Sequence, residues 1–345
     1  MSLTFSVFAD LHYKKGMYAV TVQDLQQILD RANANNVDFV IHAGDFCNDY
    51  KGSPEIVNAY LKNKYNLATY GVHGNHELES VDNSMEYVTP LLTNDKHVVW
   101  GGVGVGYYYF DKNDYRIICL DSNYSFHEEA GKWEHNKTAS WGAPSGNKLA
   151  NSLGPDQLKW LEELLMKSAE EKISCIVFSH ASLTDLWYPS PDTENVQSLF
   201  KKANNITPGT VIMCLNGHYH TNHIGVKDNI LYFDVNTVIN GSWVPKMNHH
   251  YTEEHVFTLN NYDENGVYIS SEEVPLTKLW QSVNTHYFTE PLSAIVKVCD
   301  DGEIHVVGSK TSWRYNIIAQ NENPATMPEI SGGQFVVTHI RKGNQ

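Results

Sequence analysis

The chain has 345 residues, 41% of them hydrophobic, and a formal charge of −15 from 25 basic and 40 acidic side chains. That length allows one large core, or one domain with an appendage. The acidic balance argues against non-specific binding to nucleic acid, and no run approaches the roughly 18 apolar residues of a membrane helix. Cys47, Cys119, Cys175, Cys214 and Cys299 are odd in number and three lie in apolar runs, so a disulfide-stapled architecture is not expected.

The first apolar stretch, Leu3 to Ala9, lacks a basic leader and stops at Asp10, so it reads as a buried strand. A cytoplasmic protein is the expectation for the sequence as given, with a removed secretory leader as the alternative. Leu25, Ile28, Leu29 and Ala32 recur with helical spacing and return the chain to a strand near Val37 to Ala43. Ser53-Pro54 opens a second helix over about Glu55 to Tyr65, followed by a short strand from Ala68 to His73. This alternation predicts βαβ units and a mostly parallel sheet. Between Val103 and Leu120 two β-rich runs flank Asp111-Lys112-Asn113-Asp114 as a hairpin.

Ser122 to Ser152 is rich in Gly, Ser, Asn and His and contains Trp133 and Trp141. A loop that long is usually functional or disordered, which makes it a candidate substrate rim. Pro155 starts a helix with Leu158, Leu161 and Leu165 on one face, and Ile173 to Phe178 suits a strand buried on both faces. A helix over Val196 to Ala203 and a strand over Val211 to Leu215 repeat the unit. Hairpins follow at His223 to Val226 with Ile230 to Val235, and at Val256 to Leu259 with Val267 to Ser270. A last hairpin, Ala294 to Val298 with Glu303 to Val307, lies in a tail too short for independent folding. The division expected is a main domain over residues 1–275 with a β-rich extension, 276–345, packed on it.

The polar residues that end these strands form five blocks: Asp10-x-His12, Gly44-Asp45, Gly74-Asn75-His76-Glu77, His180, and Gly217-His218-x-His220. Loops beyond the carboxyl ends of strands in an open α/β sheet line one crevice, so blocks separated by over 200 residues can converge. Imidazole, carboxylate and amide oxygen without a thiolate cluster suit manganese, iron, zinc or cobalt better than magnesium. Alternation along an extended segment would send Asp10 and His12 to one side. The glycines permit sharp turns and close packing of several loops.

With these five blocks in order, the chain resembles the calcineurin-like metallophosphoesterase superfamily, whose signature is D-x-H, G-D, G-N-H-[DE], a lone H and G-H-x-H. The resemblance implies a four-layer α/β/β/α sandwich of two mixed β-sheets. It implies one metal held by Asp10, His12, Asp45 and His220, and a second by Asp45, Asn75, His180 and His218, with Asp45 as the bridge. It also makes His76 the catalytic residue beside the scissile phosphate. Two divalent ions less two carboxylates and one bridging hydroxide leave about +1, enough to draw phosphate into an acidic protein, and the hydroxide is the expected nucleophile. Purple acid phosphatases carry a tyrosine ligand three residues after the Asp of G-D. That position here is Asn48, so no tyrosinate-coloured iron site is expected.

His42 and His73 lie inside apolar strand runs just upstream of ligand blocks and are read as satisfied core histidines or supports behind the ligands, and Tyr13 and Asp49 as loop residues that could touch substrate or orient ligands but are given no role. His127, Trp133, His135, Trp141, Trp187 and Tyr188 could stack a base or only pack their loops. The expected reaction is hydrolysis of a small-molecule or nucleotide phosphodiester. Monoester or phosphoprotein hydrolysis is the alternative, and a non-catalytic scaffold on the same fold is a third reading, one that predicts no bound metal. A nuclease would need a basic track that the sequence does not show.

Overall fold

In a computed structural model, the structure describes residues 2–15, 20–78, 80, 83–127, 131–135, 151–184, 190–220, 223–238, 256–262, 268–275, 290–309 and 334–337. The first half of the chain forms β1 (Leu3–Phe8), α1 (Val22–Ala34), β2 (Phe39–His42), α2 (Pro54–Leu61), β3 (Thr69–Gly71), α3 (Met85–Val88), β4 (Val99–Trp100), β5 (Tyr108–Lys112), β6 (Tyr115–Cys119), β7 (Tyr124–His127) and β8 (Lys132–His135). The second forms α4 (Pro155–Glu171), β9 (Ser174–Ser179), α5 (Thr193–Ile206), β10 (Val211–Asn216), β11 (His223–Lys227), β12 (Ile230–Asp234), β13 (Val256–Tyr262), β14 (Tyr268–Pro275), β15 (Ala294–Val298), β16 (Ile304–Gly308) and β17 (Gln334–Val337). Among the described residues no helix is long and apolar enough to cross a membrane.

One mixed sheet has the order β17-β16-β15-β1-β2-β3 and the other β11-β12-β10-β9-β6-β5-β4. Strand alternation explains how they stack. Leu3, Phe5 and Val7 of β1 meet Ile176 and Phe178 of β9 and Met213 and Leu215 of β10, with Phe5 and Phe178 in edge contact at 5.8 Å. Phe8 turns the other way, into the layer filled by Leu25, Ile28 and Leu29 of α1 and Ile56 and Tyr60 of α2. On the far side, Cys175 and Val177 of β9 pack under Leu161 and Leu165 of α4 and Val196 and Phe200 of α5. The result is the α/β/β/α sandwich, in which each buried Phe or Leu side chain contributes about 1.5–3 kcal/mol.

Local chemistry sets the ends. Thr21 and Asp24 form a reciprocal capping box on α1. α2 stops at Leu61, short of Tyr65, because the Asn63 side chain takes over: its amide donates to Tyr60 O and Leu67 O and its oxygen accepts from Leu67 N. The stretch Ser122 to Ser152 is not all loop, since β7 and β8 pair as a hairpin within it. The C-terminal hairpin joins the first sheet edge to edge: β15 runs antiparallel to β1, Leu3 opposite Val298 and Val7 opposite Ala294. Arg31 of α1 fastens it through Ser293 O at 2.6 Å and Val307 O at 2.7 Å.

For the site, direction matters most. β1, β2 and β3 are parallel to one another, as are β6, β9, β10 and β12. The blocks that follow β1, β2, β3, β9 and β10 therefore leave at the carboxyl ends of parallel strands.

Candidate metal centre

Backbone hydrogen bonds continue past the strand ends and lock the blocks side by side. Asp10 N donates to Gly44 O (3.0 Å), His12 N to Asp45 O (2.8 Å) and Gly217 N to His180 O (3.0 Å). Asp10, His12, Asp45, His218 and His220 all adopt positive φ, at 53°, 50°, 51°, 74° and 51°. Asp10 and His12 thus meet through two left-handed kinks around Leu11, a different route from the strand alternation expected for an extended segment. Gly44 has φ +92°, and a Cβ there would lie 2.3 Å from His180 Nδ1, so only glycine lets this turn pass under that imidazole.

All eight residues singled out by sequence come together. The side-chain ligand atoms of Asp10, His12 and His220 lie within 4.8 Å of one another, as do those of Asp45, His180 and His218, and those of His12, Asp45 and His76. His12 Nε2 is 3.0 Å from His220 Nε2, and His220 Nε2 is 3.4 Å from Asp10 Oδ1. His180 Nε2 is 3.2 Å from Asp45 Oδ2, 3.1 Å from Asn75 Oδ1 and 3.2 Å from His218 Nδ1. Asp45 Oδ2 also sits 3.6 Å from His12 Nε2, so one carboxylate oxygen faces both halves of the cluster. His76 stands beside it, its amide donating to Asp45 Oδ1 at 2.8 Å and its Nε2 at 4.0 Å from Asp45 Oδ2.

This donor set fits divalent ions. His180 Nδ1 donates to Ala43 O at 2.8 Å, so in the neutral ring the Nε2 lone pair faces the acceptor oxygens of Asp45 and Asn75. Acceptors converging on one point in a buried site call for a cation. Without a metal, a proton serves: burial alone would lower His180, but Asp45 beside it raises it to about 10. Burial would raise Asp45, yet His180 and His76 bring it well below the ordinary carboxylate range. His218 is lowered to about 3 by burial and by His180. The Asn75 Nδ2 group is buried and has no hydrogen-bond partner among the described residues.

Three supporting residues were not assigned roles from the sequence. Asn48 joins two of the histidines, its Oδ1 lying 3.3 Å from His12 Nδ1 and its Nδ2 3.1 Å from His76 Nδ1. If His12 is to offer Nε2 to a metal, its Nδ1 must carry the proton that Asn48 Oδ1 accepts. The Asn48 amide then donates to His76 Nδ1, which leaves the neutral His76 ring with an Nε2–H donor. Glu77 accepts from the amides of Asp45 (3.1 Å), Phe46 (2.7 Å) and Gly74 (2.6 Å) and so ties the second block to the third. Burial and the nearby Asp45 push its carboxyl up to about 8 against those donors. Thr237, beyond β12, donates its hydroxyl to Asp10 O at 2.6 Å. The signal for Asn48 was its three-residue offset from Asp45; nothing local marks Thr237.

His42 and His73 lie in the core as expected, but His73 Nδ1 is buried without a hydrogen bond among the described residues, so only His42 has the character of a satisfied histidine. His42 is buried, stacked on Phe46 at 4.9 Å, and lowered to about 3 by burial and by His73; His73 is buried against Thr89. Tyr13 is buried and donates to Glu55 of α2 at 2.8 Å, tying its loop to that helix, and Asp49 accepts from Gly52 N within its own turn. Trp133 and His135 belong to β8, and His127 ends β7. Trp141, Trp187, Tyr188, His249 and His250 lie outside the described residues.

Two mixed sheets between helices, with Asp, Asn and His gathered at the parallel strand ends, define a metallophosphoesterase fold. The chain belongs to the calcineurin-like phosphoesterase family, which matches it over residues 3–222. Among solved structures it is similar to a dimetal phosphatase from Danio rerio, with a TM-score of 0.57 and 14% identity over 90% of this chain and 98% of that one. It is also similar to GAP50, described as the anchor in the inner membrane complex of Plasmodium, at TM-score 0.45 and 11% identity over 89% of this chain and 84% of that one. A putative 5′-nucleotidase from Staphylococcus aureus gives TM-score 0.42 and 14% identity over 80% of this chain and 54% of the other. Comparison with curated proteins by sequence returned no match.

Proposed function

We propose that the protein is a two-metal phosphoric ester hydrolase with a preference for small-molecule or nucleotide phosphodiesters. The supporting observation is Asp45 Oδ2, which faces His12 Nε2 at 3.6 Å on one side and His180 Nε2 at 3.2 Å on the other. In this reading Asp10, His12, Asp45 and His220 hold one ion, and Asp45, Asn75, His180 and His218 the other. When bound, two divalent ions, manganese, iron or zinc, supply the Lewis acidity and the acidified water that phosphoryl transfer to water requires.

The remaining work falls to the chain. Asp45, buried and held by the His76 amide, keeps the two half-sites in register. Asn75 offers its Nδ2–H, which has no partner among the described residues, to a phosphoryl oxygen. His76 Nε2–H, oriented by Asn48, stabilises charge on the departing oxygen by hydrogen bonding. No protein nucleophile is needed, so no phosphoryl-enzyme is expected. The diester preference draws on the acidic balance of the chain and on the aromatic segment after β6.

Metal analysis of protein purified without chelator tests the centre, and turnover of bis-p-nitrophenyl phosphate against p-nitrophenyl phosphate in manganese, iron and zinc tests the ester. Absence of metal together with inactivity after added manganese refutes the hydrolase reading. Equal or faster turnover of the monoester refutes the diester preference.

A further inference from the structure

A second buried polar cluster lies beside the metal centre and is not used by the chemistry above. β6 runs parallel to β9, and its end, Asp121-Ser122-Asn123, reaches both halves of the site. Ser122 Oγ accepts from Ala181 N at 2.9 Å, next to His180, and Asn123 Nδ2 donates to His73 O at 3.1 Å, next to Gly74-Asn75. Asp121 itself is fully buried. Its Oδ1 accepts from Asn123 N (3.1 Å) and Nδ2 (3.0 Å), and its Oδ2 is 3.0 Å from His135 Nε2.

His135 comes from β8, the far strand of the hairpin that begins at Tyr124. The register pairs Tyr124 with His135 and Phe126 with Trp133, so these four rings share one face of the hairpin. At its near end His135 packs edge-on against His73 at 5.8 Å and Tyr124 at 5.2 Å. Trp133 lies two residues, about 7 Å, further along the strand. It forms a half-buried pair with Phe126 at 5.7 Å. Space for the contact is built in: a Cβ on Gly106 would stand 2.3 Å from Asp121 Oδ2 and 2.5 Å from His73 Cδ2. A buried carboxylate is tolerated when it is paired, so the position of His135, and with it the hairpin, is tied to the end of β6.

We propose that the Asp121–His135 pair is a positioning device. It holds the β7–β8 hairpin as the pocket wall that receives the retained arm of the diester, with Phe126 and Trp133 favouring an arm that carries an aromatic or heterocyclic ring. This rests on the phosphodiester reading above. His135 acts through the hairpin and not on the reacting phosphorus, so its loss should be felt according to the size of the arm.

The test compares methyl p-nitrophenyl phosphate with thymidine 5′-p-nitrophenyl phosphate, two diesters with the same leaving group, on the metal-loaded full chain. His135→Ala should raise KM for the thymidine ester by about tenfold or more, with a distinctly smaller change for the methyl ester. His135→Gln, which keeps a polar side chain beside Asp121, should recover part of that loss. Hydrogen exchange should quicken over 124–127 and 132–135 in His135→Ala and in Asp121→Asn. Equal losses for both esters, or unchanged exchange in the hairpin, overturn the proposal. Should the wild type bind metal yet cleave neither diester, the phosphodiester reading alone fails, and the exchange measurement still decides whether the pair holds the hairpin.

Discussion

Replacing Asn48 probes how protons are distributed around the metal centre. Its amide lies between His12 Nδ1 (3.3 Å) and His76 Nδ1 (3.1 Å) in a buried setting. Flipping the amide would aim Nδ2 at His12 and force the proton onto Nε2, the atom needed for a metal, so the orientation described is the one compatible with ligation. Asn48→Ala removes both contacts and frees His76 to change tautomer. Loss of a group that orients metal-site histidines typically lowers activity or metal affinity by about 10–100-fold. Asn48→Asp is the sharper variant, because a carboxylate still accepts from His12 but has no N–H for His76. His76 Nδ1 must then carry a proton. A neutral ring would lose its Nε2–H donor, and an imidazolium would keep it and hold it to higher pH. The expected outcome is about a tenfold or greater fall in kcat for Asn48→Ala with metal content retained, and for Asn48→Asp a kcat that falls as rising pH deprotonates the imidazolium, a limb that the neutral wild-type ring does not contribute. The assay is kcat against pH with metal content measured on the same preparations. Values of kcat within twofold of wild type for both variants, with unshifted profiles, would refute the tautomer reasoning.

His76→Ala should keep the metals and lose about 10²–10⁴-fold in kcat; elemental analysis showing lost metal would make His76 a ligand instead. Gly44→Ala should cost about 1–3 kcal/mol in chemical denaturation and displace His180, because φ is +92° and the new Cβ would sit 2.3 Å from Nδ1. Metal affinity should rise with pH: in the metal-free protein His180 holds its proton up to about 10, so an ion binding below that pH must expel it. Calorimetry in buffers of different ionisation enthalpy counts that proton, and a pH-independent affinity with no proton release would contradict the assignment.

Much of this was legible because chemistry interrupts pattern. Leu3 to Phe8 and Ser174 to Ser179 are apolar strands, and polar residues placed directly after such strands announced the blocks that converge. What stayed hidden depends on pairings without a local signal. Nothing in Ala294 to Val298 says that β15 will lie beside β1, almost 300 residues away, and nothing near Thr237 marks its bond to Asp10 O. Asn48 could be seen as a departure from tyrosine, but its bond to His76 depends on two strands meeting in parallel. The β7–β8 hairpin was obscured by composition: Gly, Ser and His around Trp133 read as loop until His135 and Asp121 are seen together.

The same contrast explains why the candidate ligand residues adopt left-handed backbone. A left-handed non-glycine residue costs roughly 1–2 kcal/mol, so Asp10, His12, Asp45, His218 and His220 together approach the net stability of a whole domain. Asp and His tolerate that region better than branched residues, which lowers the cost without removing it. Such an arrangement persists where the surroundings over-determine it. Here they do: the ladder from Asp10 N to Gly44 O and from His12 N to Asp45 O, three amides on Glu77, and the Thr237 hydroxyl on Asp10 O fix the kinks from several sides. Strand alternation would have spread the side chains of neighbouring blocks apart, whereas alternating left-handed turns gather them into one volume. Backbone strain at the strand ends is therefore what converts two ordinary stacked sheets into a concentrated set of carboxylate, amide and imidazole groups that could hold metal ions.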